Sequence, residues 1–402
     1  MIDQPVEAIE VHTYVVPTDA PEADGTLSWS STTLVLVRVH AGGTAGMGWT
    51  YGPRACAEVI GELLVDAVLG HDALDVAAAA ERMRRTVRNA GRPGAVGYAI
   101  SAVDIALWDL KARLLGVALH RLLGAAHETV AVYGSGGFTT YDSGRLREQL
   151  GFWATEQHIP RVKIKVGERW GSAVGRDLAR IAEARSVIGP DVELYVDANG
   201  GYQAKQAIRV AAASAESAVS WFEEPVSSDD LDGLARVRAA VTCDVAAGEY
   251  GTDVSYFARM IAAGAVDCVQ ADVTRCGGIT EWQRIAAVAA GHNLQISGHC
   301  APHLHAHVAA ATPNLRHLEW FHDHVRVENM LFTGTLDPTG GTVRPDRTAL
   351  GHGLSLREDI AVGHRVSHHR IDLHDRPGHT SQDRRRERDA GACRESTVGE
   401  EP

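Results

Sequence analysis

Three acidic residues recur at one interval through the middle of this chain: Asp197 in ELYVDAN, Glu223 in WFEEP and Glu249 in AAGEY, each 26 residues from the next. That interval is about the length of one strand, one helix and two loops, so it marks a strand–helix repeat. If each acid ends a parallel strand of a closed barrel, all three converge on one mouth. Oxygen ligands presented in this way, with Asn199 beside them, suit a hard divalent cation such as Mg²⁺.

The surrounding pattern supports the repeat. Eight short apolar runs alternate with amphipathic stretches: TVAVYG (129–134), RVKIKVG (161–167), ELYVDAN (193–199), SWFEEP (220–225), DVAAGE (244–249), CVQADVT (268–274), LQISGH (294–299) and HLEWF (317–321). Strands alternating with helices pair in parallel through right-handed crossovers, and eight units predict an α/β fold of the (β/α)₈ TIM-barrel type. A doubly wound open sheet is the alternative, and GSGGFTTY after the first run resembles its glycine-rich phosphate loop. A lone glycine cluster without a downstream acidic ribose partner is weak support for it.

Residues 1–128 differ from the rest and predict an N-terminal α+β capping domain. AIEVHTYVV and TTLVLVRVHA alternate as strands of a hairpin or meander, and helical periodicity follows, ending in AISAVDIALWDLKARLLG. Between the two strands, residues 17–31 are rich in Pro, Gly, Ser and acids, a composition that predicts a mobile loop-like flap. The barrel is expected over 129–335, a segment returning to the cap over 336–365, and a disordered tail over 366–402, where few apolar residues offset the entropy of ordering.

A 402-residue chain has ample core, and its net charge of −12 with interspersed signs argues against nucleic acid and anionic membranes as partners. A small-molecule ligand is expected. Six cysteines without CxxC spacing, no charged leader ahead of an apolar stretch and no apolar run of membrane-spanning length fit a reduced, cytoplasmic protein.

Lys163 and Lys165 flank Ile164, so on a strand both ammonium groups project to one side, where mutual repulsion is expected to lower the Lys165 pKa toward that of a general base. Asp272 and His299 end the sixth and seventh runs, close enough for a carboxylate to fix an imidazole tautomer and raise its basicity. Glu319 ends the eighth; protonated, it could stabilise an oxyanion, and otherwise it could pair with Arg316 or Arg326. His303, His305 and His307 in HLHAH fall on the helix after the seventh run, where that spacing does not converge on a metal.

Taken in order, AISAVDIALWDLKARLLG, VKIKVG, VDANGGY, WFEEPV, GEY, QADVTRCGG, SGH and HLEW resemble the enolase superfamily, specifically its mandelate racemase subgroup, over nearly the whole chain to about residue 360. The resemblance implies Lys165 as the base on one face of the substrate with Lys163 tuning it. It further implies Asp197, Glu223 and Glu249 as ligands of one Mg²⁺ with Asn199 beside them, Asp272–His299 as the opposing dyad, Glu319 as a hydrogen-bond partner of the enolate, and a homo-oligomer. Glu223 is matched to the metal rather than Glu224. The muconate cycloisomerase and dipeptide epimerase subgroups carry a lysine where this chain has Asp272, which argues against both. The expected activity is dehydration of an acid sugar, an aldonate or aldarate. Racemisation or epimerisation of a 2-hydroxy acid by the same two bases is the alternative, and a barrel that binds a metabolite without turnover is a third.

Overall fold

The computed structural model describes residues 3–375. Three antiparallel strands open the chain, β1 (Ala8–Ala23), β2 (Ser28–Ala41) and β3 (Thr44–Tyr51). The helix Ala95–Leu114 lies on β3 so closely that a Cβ at Gly46 would stand 2.2 Å from the Ala106 carbonyl, and one at Gly48 2.4 Å from that of Ala102. Only glycine permits this approach.

The barrel strands follow as β4 (Val130–Gly136), β5 (Arg161–Lys165), β6 (Glu193–Asp197), β7 (Val219–Glu223), β8 (Asp244–Ala247), β9 (Cys268–Ala271), β10 (Gln295–Gly298) and β11 (Leu315–Phe321). All neighbours among them are parallel, and β11 pairs with β4 from Leu318–Val132 to Phe321–Ser135, which closes the cylinder. The eight-stranded barrel with a capping domain is therefore the observed architecture. Tyr133, Tyr195, Trp221, Ala246 and Cys268 pack together inside it as a floor beneath the strand C-termini.

Two stretches differ from what their composition implied. Residues 17–31 are the outer part of the β1–β2 hairpin rather than a loop: the register slips between Pro17 and Glu22, pairing resumes at Glu22–Trp29, and the turn is held by Asp24 Oδ1 accepting the Leu27 N–H at 2.8 Å. The hairpin tip rests on the barrel, where its Ala23 and Gly25 carbonyls accept the N–H groups of Thr139 (2.8 Å) and Trp170 (2.9 Å). The expected disordered tail is also corrected at its start. Arg365–Asp372 form a strand antiparallel to β1, and Ile371 and Leu373 pack on the apolar core of the cap. A polar segment orders here because β1 offers an unpaired edge and Arg370 finds Glu10 and Asp372. Residues 376–402 lie outside the described part.

The stretch before that strand touches barrel and cap in turn. Thr342–Val343 pair with β4, and His352 then reaches the cap, with its backbone N–H 2.8 Å from Asp109 Oδ1 and Nε2 2.9 Å from the Met47 carbonyl.

Candidate active site

Strand register sets the first level of the site. Lys165 on β5 stands opposite Asp197 on β6, which stands opposite Glu223 on β7. Lys165 Nζ donates to Asp197 Oδ2, and Lys163, pointing the same way two residues earlier, donates to Glu223 Oε1 and lies 2.7 Å from Glu319 Oε1 and 3.6 Å from Asp197 Oδ2. Trp221 Nε1 and Gln270 Nε2 each donate to Glu223 Oε2 at 3.0 Å. Asp197, Glu223 and Glu249, all buried, offer oxygens within 4.8 Å of one another.

Asp272 and His299 follow the ends of β9 and β10, whose last residues Ala271 and Gly298 are in register. His299 Nδ1 is 2.8 Å from Asp272 Oδ2, while Asp272 Oδ1 accepts from the Thr274 backbone and hydroxyl at 2.7 Å each. The carboxylate is thereby oriented, and it orients the ring so that Nε2 faces Glu249 Oε2 (3.3 Å) and Glu319 Oε2 (3.7 Å). Glu319 is fully buried and takes Ser135 Oγ at 2.6 Å and the Cys300 N–H at 3.1 Å, not Arg316 or Arg326, which pair with Asp244 and Asp323. Every expected site residue thus falls in one connected cluster. His303 and His305 have separate structural partners, the Leu336 and Val273 N–H groups, on the buried helix Pro302–Ala310.

Above the cluster is a cavity of about 530 Å³. Lys165, Asn199, Glu249, Arg275 and His299 reach it from the barrel, and Asp24, Trp29, Ser31, Thr32 and Tyr51 from the cap. A larger cavity, about 940 Å³, lies outside the barrel beside the helix His322–Leu331 and meets none of the expected site residues.

The electrostatics reverse one expectation. Burial and Lys163 both work to lower the Lys165 ammonium, but contact with the Asp197 carboxylate outweighs them and holds its pKa above the ordinary lysine value. Lysine–lysine repulsion loses because Asp197 is the nearer charge. Glu319 is likewise not the neutral acid considered above: burial pushes it up, but Lys163, His299 and Lys165 draw it well below the usual carboxylate range. Burial would lower His299; the Glu249 and Glu319 charges and the Asp272 hydrogen bond raise it. Glu224, beside Glu223 at φ +39°, is pushed well above its ordinary value by burial and then by Glu249 and Asp197.

The donor set fits a hard cation. Asn199 Oδ1, Glu224 Oε1 and Glu249 Oε2 are buried without a hydrogen bond, and burial pushes the Glu223 carboxyl up to about 8. Carboxylates crowded so closely out of water need more positive charge than Lys163, Lys165 and Arg275 supply.

Two contributors were not visible in the sequence. Ser135 was hidden in the GSGG cluster read as a possible phosphate loop, although it stands one residue before the end of β4, opposite Lys163 on β5. Arg275, 3.4 Å from Glu249 Oε1 and 3.5 Å from Asp272 Oδ2, is flanked by Tyr98 and Tyr250, a setting that only tertiary contacts reveal.

A capped (β/α)₈ barrel with acids, lysines and a histidine dyad at its mouth defines an enzyme class, and comparison with known proteins gives the family. Residues 8–124 match the mandelate racemase / muconate lactonizing enzyme N-terminal domain, and residues 145–360 the enolase C-terminal domain-like family. The chain belongs to this mandelate racemase-like family of the enolase superfamily. It is 33% identical to an L-talarate/galactarate dehydratase of Salmonella typhimurium LT2 over 78% of each chain. A crystal structure of the LT2 dehydratase with Mg and L-lyxarohydroxamate superposes with a TM-score of 0.85 at 28% identity, covering 92% of this chain and 95% of that one. A D-galactarolactone cycloisomerase of Agrobacterium fabrum is 32% identical over 73% of this chain and 78% of its own. A mandelate racemase/muconate lactonizing enzyme-like protein from Rubrobacter xylanophilus superposes with a TM-score of 0.87 at 50% identity, covering 90% of this chain and all of that one.

Proposed function

We propose that this enzyme is a Mg²⁺-dependent dehydratase of an acid sugar, an aldonate or aldarate. The observation that carries the reading is that Lys165 and His299 line one cavity directly above Asp197, Glu223 and Glu249. Those three acids would hold the ion, with Asn199 beside them. Bound there, Mg²⁺ supplies Lewis-acid stabilisation to the enolised carboxylate. The rest falls to side chains. With the charge of Asp197 taken up by the ion, Lys165 would lose the pairing that holds it protonated; Lys165 on one face or His299 on the other then removes the proton α to the carboxylate, the choice following the substrate's configuration, and the C–H electron pair passes into the enediolate. Collapse of the enediolate forms the carbon–carbon double bond and breaks the β C–O bond. Cationic His299 gives its proton to the departing hydroxyl, water leaves, and the enol becomes a 2-keto-3-deoxy acid. Lys163, 2.7 Å from Glu319, balances charge beneath the substrate carboxylate.

Hydroxyl-bearing Ser31 and Thr32, with Asp24, set hydrogen-bonding groups among Leu27, Trp29 and Pro53 on the cap wall, and these groups favour a polyhydroxylated substrate. The test is incubation with Mg²⁺ and a panel of aldonates, aldarates and their lactones in D₂O, followed by NMR and, for the open-chain acids, semicarbazide. A keto product supports the reading. Labelled substrate alone, a lactone-opened product, or no exchange at all would assign instead a racemase, a cycloisomerase or an inert barrel.

A further inference from the structure

A second group of ligating side chains stands outside the catalytic cluster, where the flap hairpin meets the barrel. Asp19 and Glu22 come from the outer part of β1, and His322 begins the helix after β11. Their ligand atoms all lie within 4.8 Å of one another. Asp19 Oδ2 is 3.2 Å from His322 Nε2 and accepts from Arg145 at 2.9 Å. Glu22 is 0% exposed; its Oε2 accepts from Trp29 Nε1 at 2.8 Å, and its Oε1 has no partner.

That orphaned oxygen is the informative feature. Burial, with the Asp323 charge, pushes the Glu22 carboxyl up to about 8. A proton would neutralise the group yet leave a buried O–H with no acceptor, so protonation alone does not satisfy the site. Neither nearby guanidinium reaches it: Arg145 is used by Asp19 and Arg326 by Asp323. Burial lowers the His322 pKa, keeping its ring neutral and able to ligate. Asp19, Arg145 and His322 also line the 940 Å³ outer cavity, which gives an ion and its waters a route in.

We propose that Asp19, Glu22 and His322 form a second divalent-metal site that takes Zn²⁺ through two carboxylate oxygens and one imidazole, with water completing the coordination. Mixed nitrogen and oxygen donors suit such an ion better than Mg²⁺. The ion joins the hairpin to the end of the eighth barrel strand. Phe321 and Asp323, on either side of His322, line the catalytic cavity, and Trp29, held by Glu22, does so from the flap. The site therefore fixes the flap over the substrate.

The test is Zn²⁺ titration by calorimetry in a Glu249→Gln background, which weakens the catalytic cluster. Adding His322→Ala or Asp19→Asn, at half-exposed and exposed positions, is expected to remove one bound equivalent or weaken it at least tenfold. Adding His12→Ala, which removes an imidazole from the separate Glu10–His12–His368 group of the cap, should change nothing at this site. The proposal is overturned if both double variants at Asp19 and His322 bind Zn²⁺ as the background does, or if the background binds none.

Discussion

Glu328→Gln gives a quantitative test of how the cap is joined to the barrel. Glu328 lies on the helix His322–Leu331 with no exposure, and its Oε1 accepts the Tyr51 hydroxyl of β3 at 3.1 Å while Oε2 faces the His303 N–H at 3.4 Å. Burial pushes its carboxyl from 4.5 up to about 8, against hydrogen bonds that work to lower it. Below pH 4.5 both folded and unfolded forms are protonated, and the stabilising effect of the proton is fully present. As pH rises toward 8 the unfolded chain ionises and the folded one does not, so stability is lost across that window and the loss ends once pH passes 8. At ~1.4 kcal/mol per pH unit, the wild type loses about 4 kcal/mol between pH 5 and 8 through this group. Glutamine keeps the shape and the acceptor for Tyr51 but cannot ionise. It sets an amide N–H against the His303 N–H, a penalty of about 1 kcal/mol that does not vary with pH. Urea unfolding of both proteins from pH 5 to 8.5 should therefore give curves that diverge in favour of the variant as pH rises. Parallel profiles would show that Glu328 is already ionised in the folded protein and would refute the reasoning.

Lys165→Ala and His299→Asn should each lower dehydration at least ~10²-fold while Mg²⁺ still binds by calorimetry; wild-type turnover in either removes the two-base assignment. Asp272→Asn should lower kcat by ~10²–10⁴-fold, and because the Asp272 hydrogen bond helps raise the His299 pKa, the His299 limb of the pH–rate profile should move to lower pH; an unmoved limb refutes the dyad. Gly25→Ala should raise KM more than it lowers kcat. A Cβ there meets the Val166, Ala198 and Gly167 carbonyls at 2.6, 2.8 and 2.9 Å, all backbone atoms that cannot turn aside, so the hairpin tip must lift; unchanged KM would show that the tip plays no part in binding.

The parts legible in the sequence are those governed by short periods. The spacing of Asp197, Glu223 and Glu249 follows the length of a strand–helix unit, and the side shared by Lys163 and Lys165 follows the two-residue period of a strand. What was hidden depends on partners distant in the chain. Residues 17–31 have loop composition, yet β2 pairs with them and Phe138, 5.5 Å from Trp29, packs on them. RVSHHRID offers few apolar residues, yet the open edge of β1 satisfies its backbone. The direction of the Lys165 shift was misread for the same reason. Lys163 is two residues away and visible, whereas the contact that decides the matter is with Asp197, on the next strand.

The division of labour between the domains follows from how they are joined. The groups proposed to transfer protons and the acids all stand on barrel strands or the loops just after them, whereas the cavity walls facing them come largely from the β1–β2 hairpin and the end of β3. Such a split works only if the cap keeps one orientation. Apolar packing alone would let it slide, because dispersion contacts are weakly directional. The junction instead carries buried polar contacts: Thr50 Oγ1 to the Thr274 carbonyl at 2.7 Å, Asp104 to the Thr280 N–H and hydroxyl at 3.0 and 2.6 Å, and Tyr51 to Glu328. A slide of an ångström would break these bonds and leave their groups unsatisfied out of water, each a loss of about 1–3 kcal/mol. The cap is therefore locked in register with the dyad, since Thr274, which accepts Thr50, also donates to Asp272. Substitutions on the hairpin can then reshape the cavity without moving the barrel groups beneath it.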